Sequence, residues 1–124
     1  MQDINHTITY LGTQTQTYNS KRYLQDRWSV DINGQQFDYT KGEGLRKHNR
    51  PVTPKLVDVL HALVLDSEAA GQNFYEFCSA YGYDDDSIKA FDVYRACLDN
   101  AKKLRKALGR NYEEIVDYIR SLEL

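Results

Sequence analysis

An α+β fold is predicted for this chain by three observations. Residues 4–41 carry period-two alternation and an Asn-Gly dipeptide, residues 53–123 carry apolar residues at helical spacing, and capping patterns separate the helical stretches. The expected arrangement is a small antiparallel β-sheet packed against a C-terminal bundle of about four helices, within one domain spanning residues 1–124.

The first strand is expected over residues 4–18, with Ile4, His6, Ile8 and Tyr10 on one side and Thr7, Thr9 and Leu11 on the other. Threonine then recurs at Thr13, Thr15 and Thr17, where its branched Cβ favours extended backbone and its hydroxyl tolerates water. Gly12 marks a bend. Asn19-Ser20 opens a polar connection that is expected to continue through Asp26. A hairpin follows from Trp28 to Thr40, because Asn33-Gly34 supplies the two positive-φ residues of a type I′ turn. That loop sets Ile32 against Gln35, Val30 against Phe37 and Trp28 against Tyr39, with Ser29, Asp31, Gln36 and Asp38 on the wet face.

The helical half has to cover the dry face. Thr53-Pro54 reads as a cap with proline at the first helical position, followed by the stripe Leu56, Val59, Leu60, Leu63 and Val64, and Gly71 as the break. Asn73-Phe74-Tyr75-Glu76 is a capping-box pattern for a short helix closed by Gly82. Asp84-Asp85-Asp86-Ser87 suits the start of a long helix, whose stripe is Ile88, Phe91, Tyr94, Leu98, Ala101, Leu104 and Leu108. Asn111-Tyr112-Glu113-Glu114 repeats the capping-box pattern before Ile115, Tyr118, Ile119 and Leu122.

Composition narrows the function classes. Apolar residues make up 41% and charged residues 27% of 124 residues, which favours neither disorder nor a membrane protein. The start Met1-Gln2-Asp3 lacks the charged and apolar blocks of a signal peptide, so residence in the cytoplasm is the expectation. Cys78 and Cys97 are too few for a disulfide framework or a four-cysteine zinc site, and are expected as buried free thiols. A net charge of −2 argues against nucleic-acid binding by bulk electrostatics. The ten tyrosines suit either a half-buried collar around a small core or an exposed protein interface.

Candidate sites are weighed by the same chemistry. His6, His48 and His61 have no metal-ligand spacing, and no nucleophile–base pattern stands out, so neither catalysis nor a cofactor is expected. The run Asp84, Asp85 and Asp86 lacks the remaining ligands of a calcium loop and reads as helix capping plus an acidic patch. The segment from Lys41 to Arg50 sets Lys41, Arg46, Lys47 and Arg50 against Glu43. It is a solvated loop, or one that engages phosphates or an acidic protein surface. A second basic strip comprises Lys102, Lys103, Arg105, Lys106 and Arg110.

Taken in succession, Phe37 to Gly44, Pro54 to Leu60, Phe74 to Cys78, Gly82-Tyr83-Asp84-Asp85-Asp86-Ser87 and Tyr94 to Leu98 resemble a family of small accessory proteins carried by bacteriophages and prophages. The resemblance covers about residues 37–108, and the glycine-tyrosine-x-x-aspartate-serine segment is its most specific part. Such genes often encode inhibitors of host defence, including anti-CRISPR proteins, so the resemblance implies a viral accessory role and transfers no active site. The leading expectation is a protein that sterically blocks a bacterial defence complex, with Tyr83, Asp84, Asp85 and Asp86 as protein-contact candidates. The alternatives are a small nucleic-acid-associated phage protein using Lys41, Arg46, Lys47, Arg50, Lys102, Lys103 and Lys106, and a phage assembly factor. Monomer and homodimer both remain compatible with a long exposed first strand.

Overall fold

In the computed structural model, which describes residues 4–42 and 50–122, the chain is α+β: a three-stranded antiparallel sheet followed by helices. It divides into two compact units, the strands with the chain up to Leu56, and the helical part from Val57 onwards.

The sheet has the order β1 (His6–Tyr18), β2 (Lys21–Ile32), β3 (Gln35–Gly42), so β2 is central. The β2–β3 hairpin has the register expected from the sequence, with Ile32 opposite Gln35, Val30 opposite Phe37 and Trp28 opposite Tyr39. Its turn residues Asn33 and Gly34 take φ of 49° and 88°, and the Asp31 carboxylate accepts from the Gly34 N–H at 3.0 Å. Trp28, Val30, Ile32 and Phe37 are buried while Gln36 and Asp38 are exposed.

Two details depart from expectation. The polar connection expected to run from Asn19 to Asp26 is instead a tight turn and the first half of β2. Asn19 and Ser20 take φ of 50° and 63°, and Tyr18 faces Lys21 directly. The polar character of Lys21 and Arg22 has a simple cause. β3 pairs with β2 only from Gln25 onwards, so this end of the sheet is a two-stranded ribbon, exposed at Lys21, Arg22 and Tyr23. The bend at Gly12 is a β-bulge: Tyr10 faces Trp28, Leu11 has no opposite residue, and Gly12 faces Arg27 with φ of 126°. One extra residue inverts the alternation, bringing Thr13 onto the face that carries Tyr10. There its hydroxyl donates to the buried Asp26 carboxylate at 2.6 Å and shares a hydrogen bond with the Tyr10 hydroxyl.

The helical unit comprises α1 (Leu56–Ala70), α2 (Phe74–Tyr81), α3 (Ile88–Leu108) and α4 (Tyr112–Ser121), with a 3₁₀ turn at Gly109–Asn111. Helix α1 begins at Leu56, leaving Thr53 and Pro54 outside it. Val59, Leu60, Leu63 and Val64 are buried as their spacing predicts. Helix α2 has the full capping box: Asn73 Oδ1 accepts from the Glu76 N–H at 2.9 Å, and the Glu76 carboxylate accepts from the Asn73 N–H. Gly82 closes it in the left-handed region with φ of 74°.

The other caps differ from the sequence reading. Ser87, rather than an aspartate, caps α3, its hydroxyl accepting from the Ala90 N–H at 3.2 Å. Asn111 makes no side-chain cap, because the 3₁₀ turn holds it at φ −88° and ψ 1° instead of the extended backbone a cap uses. The α3 stripe is also displaced around the helix from the line its pattern suggests. Ile88 and Phe91 are exposed, Tyr94 and Leu98 are half-buried, and Ala90, Cys97, Leu104, Ala107 and Leu108 form the buried set. In α4 it is Val116, with Ile115 and Ile119, that is buried, and Tyr118 is exposed. An ion pair between Arg120 and Glu68, at 3.1 Å, ties α4 to α1 at the surface.

Candidate functional site

The chemistry-bearing residues of the helical unit collect around the α2–α3 connection. Gly82 lets the chain reverse, and the Tyr83 N–H bonds the Cys78 carbonyl at 3.0 Å. That return lays the Tyr83 ring nearly parallel to Phe77, with centroids 5.8 Å apart. Tyr81 and Tyr94 also abut Phe77, at 5.0 and 5.2 Å. Phe77 is the hub of this aromatic cluster and is itself buried. The Tyr94 hydroxyl donates to the Gln72 carbonyl at 2.6 Å, fixing the turn between α1 and α2.

Beyond Tyr83 the backbone turns again, with the Ser87 N–H bonded to the Asp84 carbonyl at 3.1 Å. Asp84, Asp85 and Asp86 are thereby presented to solvent in one short turn. At the start of α2 and the start of α3 lie side chains that folding leaves outside. Ile88 is 81% exposed, Tyr75 71% and Phe91 48%. Phe74 links the rings, 5.7 Å from Phe91 and 6.2 Å from Tyr75. A depression of about 270 Å³ runs between Phe74, Asp85, Asp86, Ser87, Ile88 and Phe91. The result is an aromatic and aliphatic patch with carboxylates along one border.

A cleft of about 250 Å³ is lined by Leu65, Asp66, Ala69, Phe77, Tyr81, Tyr83, Val93 and Cys97. Asp66 Oδ2 accepts from the Asn100 side-chain amide at 3.0 Å, and Oδ1 from the Cys97 thiol at 3.8 Å. Burial pushes the Asp66 carboxyl above its ordinary value, although both hydrogen bonds oppose that rise. Burial, then the Asp66 charge and its hydrogen bond, push the Cys97 thiol up to about 11. Cys78 is also raised, by burial and then by the nearby carboxylates of Asp85 and Asp84. Both cysteines are free and buried, as expected.

Asp66 did not stand out in the sequence as a site residue. The available signal was an ionisable residue three positions after Leu63, within the run of buried α1 positions. The partners that give it meaning, Cys97 and Asn100, lie more than thirty residues away.

The basic candidates are distributed differently. Lys102, Arg105, Lys106 and Arg110 are exposed near the C-terminal end of α3, and Lys103 is half-buried. The Arg105 guanidinium lies over the Tyr112 ring, 4.1 Å from its centroid. Asp84 to Asp86 precede the start of the same 21-residue helix, so the acidic and basic groups are separated by roughly 20–30 Å along its axis. Lys41, next to last in β3, lies opposite Asp26 with its ammonium 5.8 Å from the Tyr39 ring centroid, and Arg50 is exposed. Arg46, Lys47 and His48 lie outside the described residues.

Of the tyrosines, Tyr10, Tyr23, Tyr75, Tyr81 and Tyr118 are exposed, and Tyr39, Tyr83, Tyr94 and Tyr112 are half-buried. Among the described residues no group of three or more histidine, cysteine, aspartate or glutamate side chains is placed to hold a metal ion, and no helix is long and apolar enough to cross a membrane. The chain matches no family model, no curated protein and no solved structure.

Proposed function

We propose that this chain is a phage-encoded accessory protein that acts in the bacterial host's cytoplasm by binding a defence complex, a CRISPR effector being the leading candidate, and blocking it sterically without catalysis. The phage assignment rests on the sequence resemblance over residues 37–108. The binding assignment is supported by the patch at the α2–α3 connection, where Ile88 and Phe91 are exposed beside Asp85 and Asp86, and Phe74 continues the apolar surface to the exposed Tyr75.

An exposed apolar side chain contributes little to folding but gains its transfer free energy when a partner covers it. Aromatic anchors with a charged border are the usual composition of an interface that is both tight and selective. The carboxylates favour a basic partner surface, such as one that otherwise holds nucleic-acid phosphates. Occupying that surface would exclude the nucleic acid.

The test is affinity capture of the tagged protein from defence-positive bacterial lysate, with and without nuclease. Nuclease-resistant recovery of a defence effector, lost on Asp84→Asn/Asp85→Asn/Asp86→Asn or on Tyr75→Ala, supports the reading. Recovery that requires intact nucleic acid, and that disappears with Lys102→Gln/Lys106→Gln, replaces it with the nucleic-acid reading.

A further inference from the structure

We infer that the Asp66 cleft is a receptor for a single arginine side chain projecting from the basic partner surface. The inference rests on the binding reading above and identifies the group that the helical unit would recognise.

Size is the first argument. About 250 Å³ is below the roughly 300–1,000 Å³ of pockets that enclose drug-sized ligands, and suits one extended side chain better than a nucleotide. Chemistry is the second. Its accessible aromatic groups are Tyr81 and Tyr83, π-rich rings of the kind that attract a weakly hydrated cation, and its charged group is an acid. Among the described residues no lysine or arginine lines it.

Geometry separates arginine from lysine. Asn100 occupies one acceptor position on Oδ2 and Cys97 one on Oδ1. A carboxylate offers about two acceptor positions per oxygen, so one remains on each. A planar guanidinium presents two parallel N–H groups that fill such a pair at once, which an ammonium does not. Asn100 and Cys97 thus hold the acid in place for a forked donor. Tyr83 joins the cleft to the exposed Asp84 to Asp86 turn, whose charge raises the local concentration of cations at the cleft.

The test needs no partner protein. N-acetyl-arginine amide is titrated into isotope-labelled protein and followed by amide NMR, with N-acetyl-citrulline amide as the neutral isostere and N-acetyl-lysine amide as the non-planar cation. The expected result is saturable shifts at Leu65, Asp66, Tyr83 and Cys97 with the arginine compound, and none with citrulline. Asp66→Asn should weaken binding by roughly tenfold or more, and Tyr83→Leu should weaken it while Asp66 stays intact. Native amide dispersion in each variant establishes folding. Equal shifts from citrulline, or shifts confined to Asp84 to Asp86, overturn the inference. An arginine-silent cleft in a protein that still captures its effector rejects this site and leaves the binding function standing.

Discussion

Replacing Phe77 by leucine should destabilise the helical unit by about 2–3 kcal/mol, and by alanine about 3–5 kcal/mol. Phe77 is 2% exposed and has Tyr81, Tyr94 and Tyr83 at centroid distances of 5.0, 5.2 and 5.8 Å. Leucine keeps an apolar side chain but removes all three ring contacts, each worth about 0.5–1.5 kcal/mol beyond its area and less than additive within a cluster. The matched control is Phe91→Leu, at a ring that is half exposed and meets Phe74 edge-on at 5.7 Å, where the cost should stay below about 1 kcal/mol. Denaturant unfolding measures both, with far-UV ellipticity following the helices and fluorescence of Trp28, the one tryptophan, following the sheet unit. Whether the two signals coincide decides if one free energy describes the chain. A Phe77→Leu loss no larger than that of Phe91→Leu refutes the assignment of Phe77 as the hub.

Three further outcomes follow from the same unit. With the Cys97 thiol pushed up to about 11, its thiolate at pH 8 should be roughly a hundredfold scarcer than that of an ordinary buried-site-free thiol; reaction with a disulfide reagent should be slow in the native protein and fast in denaturant, and a rapidly titrating native Cys97 contradicts this. Asp66 is raised above 3.8 by burial, so between 3.8 and its higher value in the folded chain the native state binds more protons than the unfolded one. Its contribution to stability is therefore present below that window and lost as pH rises through it. Asp66→Asn should remove this part of the pH–stability slope, and an unaltered slope in the variant rejects the burial argument. Gly82→Ala should cost roughly 1 kcal/mol through backbone strain alone, since φ is 74° and an added Cβ meets nothing within 4 Å; thermal melting checks it, and a neutral substitution counts against the left-handed cap.

The elements that were legible in the sequence are those specified by neighbours. Asn33-Gly34 determined a turn type, the turn determined the register, and the register determined which of Trp28, Val30, Ile32 and Phe37 share a face. The α2 capping box was equally local. Failures came where local chemistry was ambiguous or the decision was made elsewhere. Asn19-Ser20 lacks the glycine that advertises a type I′ turn, and Lys21 and Arg22 after it are polar where the ribbon they form faces water. The Asn111 box has the right composition, but the preceding 3₁₀ turn takes the backbone out of capping geometry. The acidic candidates Asp84 to Asp86 were visible as charges. The cleft beside them was not, because it joins residues from three helices.

The charges on α3 need no partner to explain them. Acidic residues before a helix and basic residues in its last turns are favoured by the backbone dipole, by about 0.3–1 kcal/mol each at an exposed surface. The polarity of Asp84 to Asp86 against Lys102, Arg105 and Lys106 is therefore weak evidence of function by itself. The apolar residues have no such account. Ile88 follows the Ser87 cap at the first helical position, where any good helix former would serve, yet it carries a branched side chain that is 81% exposed. Tyr75 and Phe91 repeat the pattern on either side of Phe74. Fully covering an isoleucine contributes about 1.5–3 kcal/mol, a gain that folding of this chain leaves unrealised. The α2–α3 connection is therefore proposed as the face for a basic partner on the coincidence of that uncovered apolar surface with carboxylates already placed for another reason.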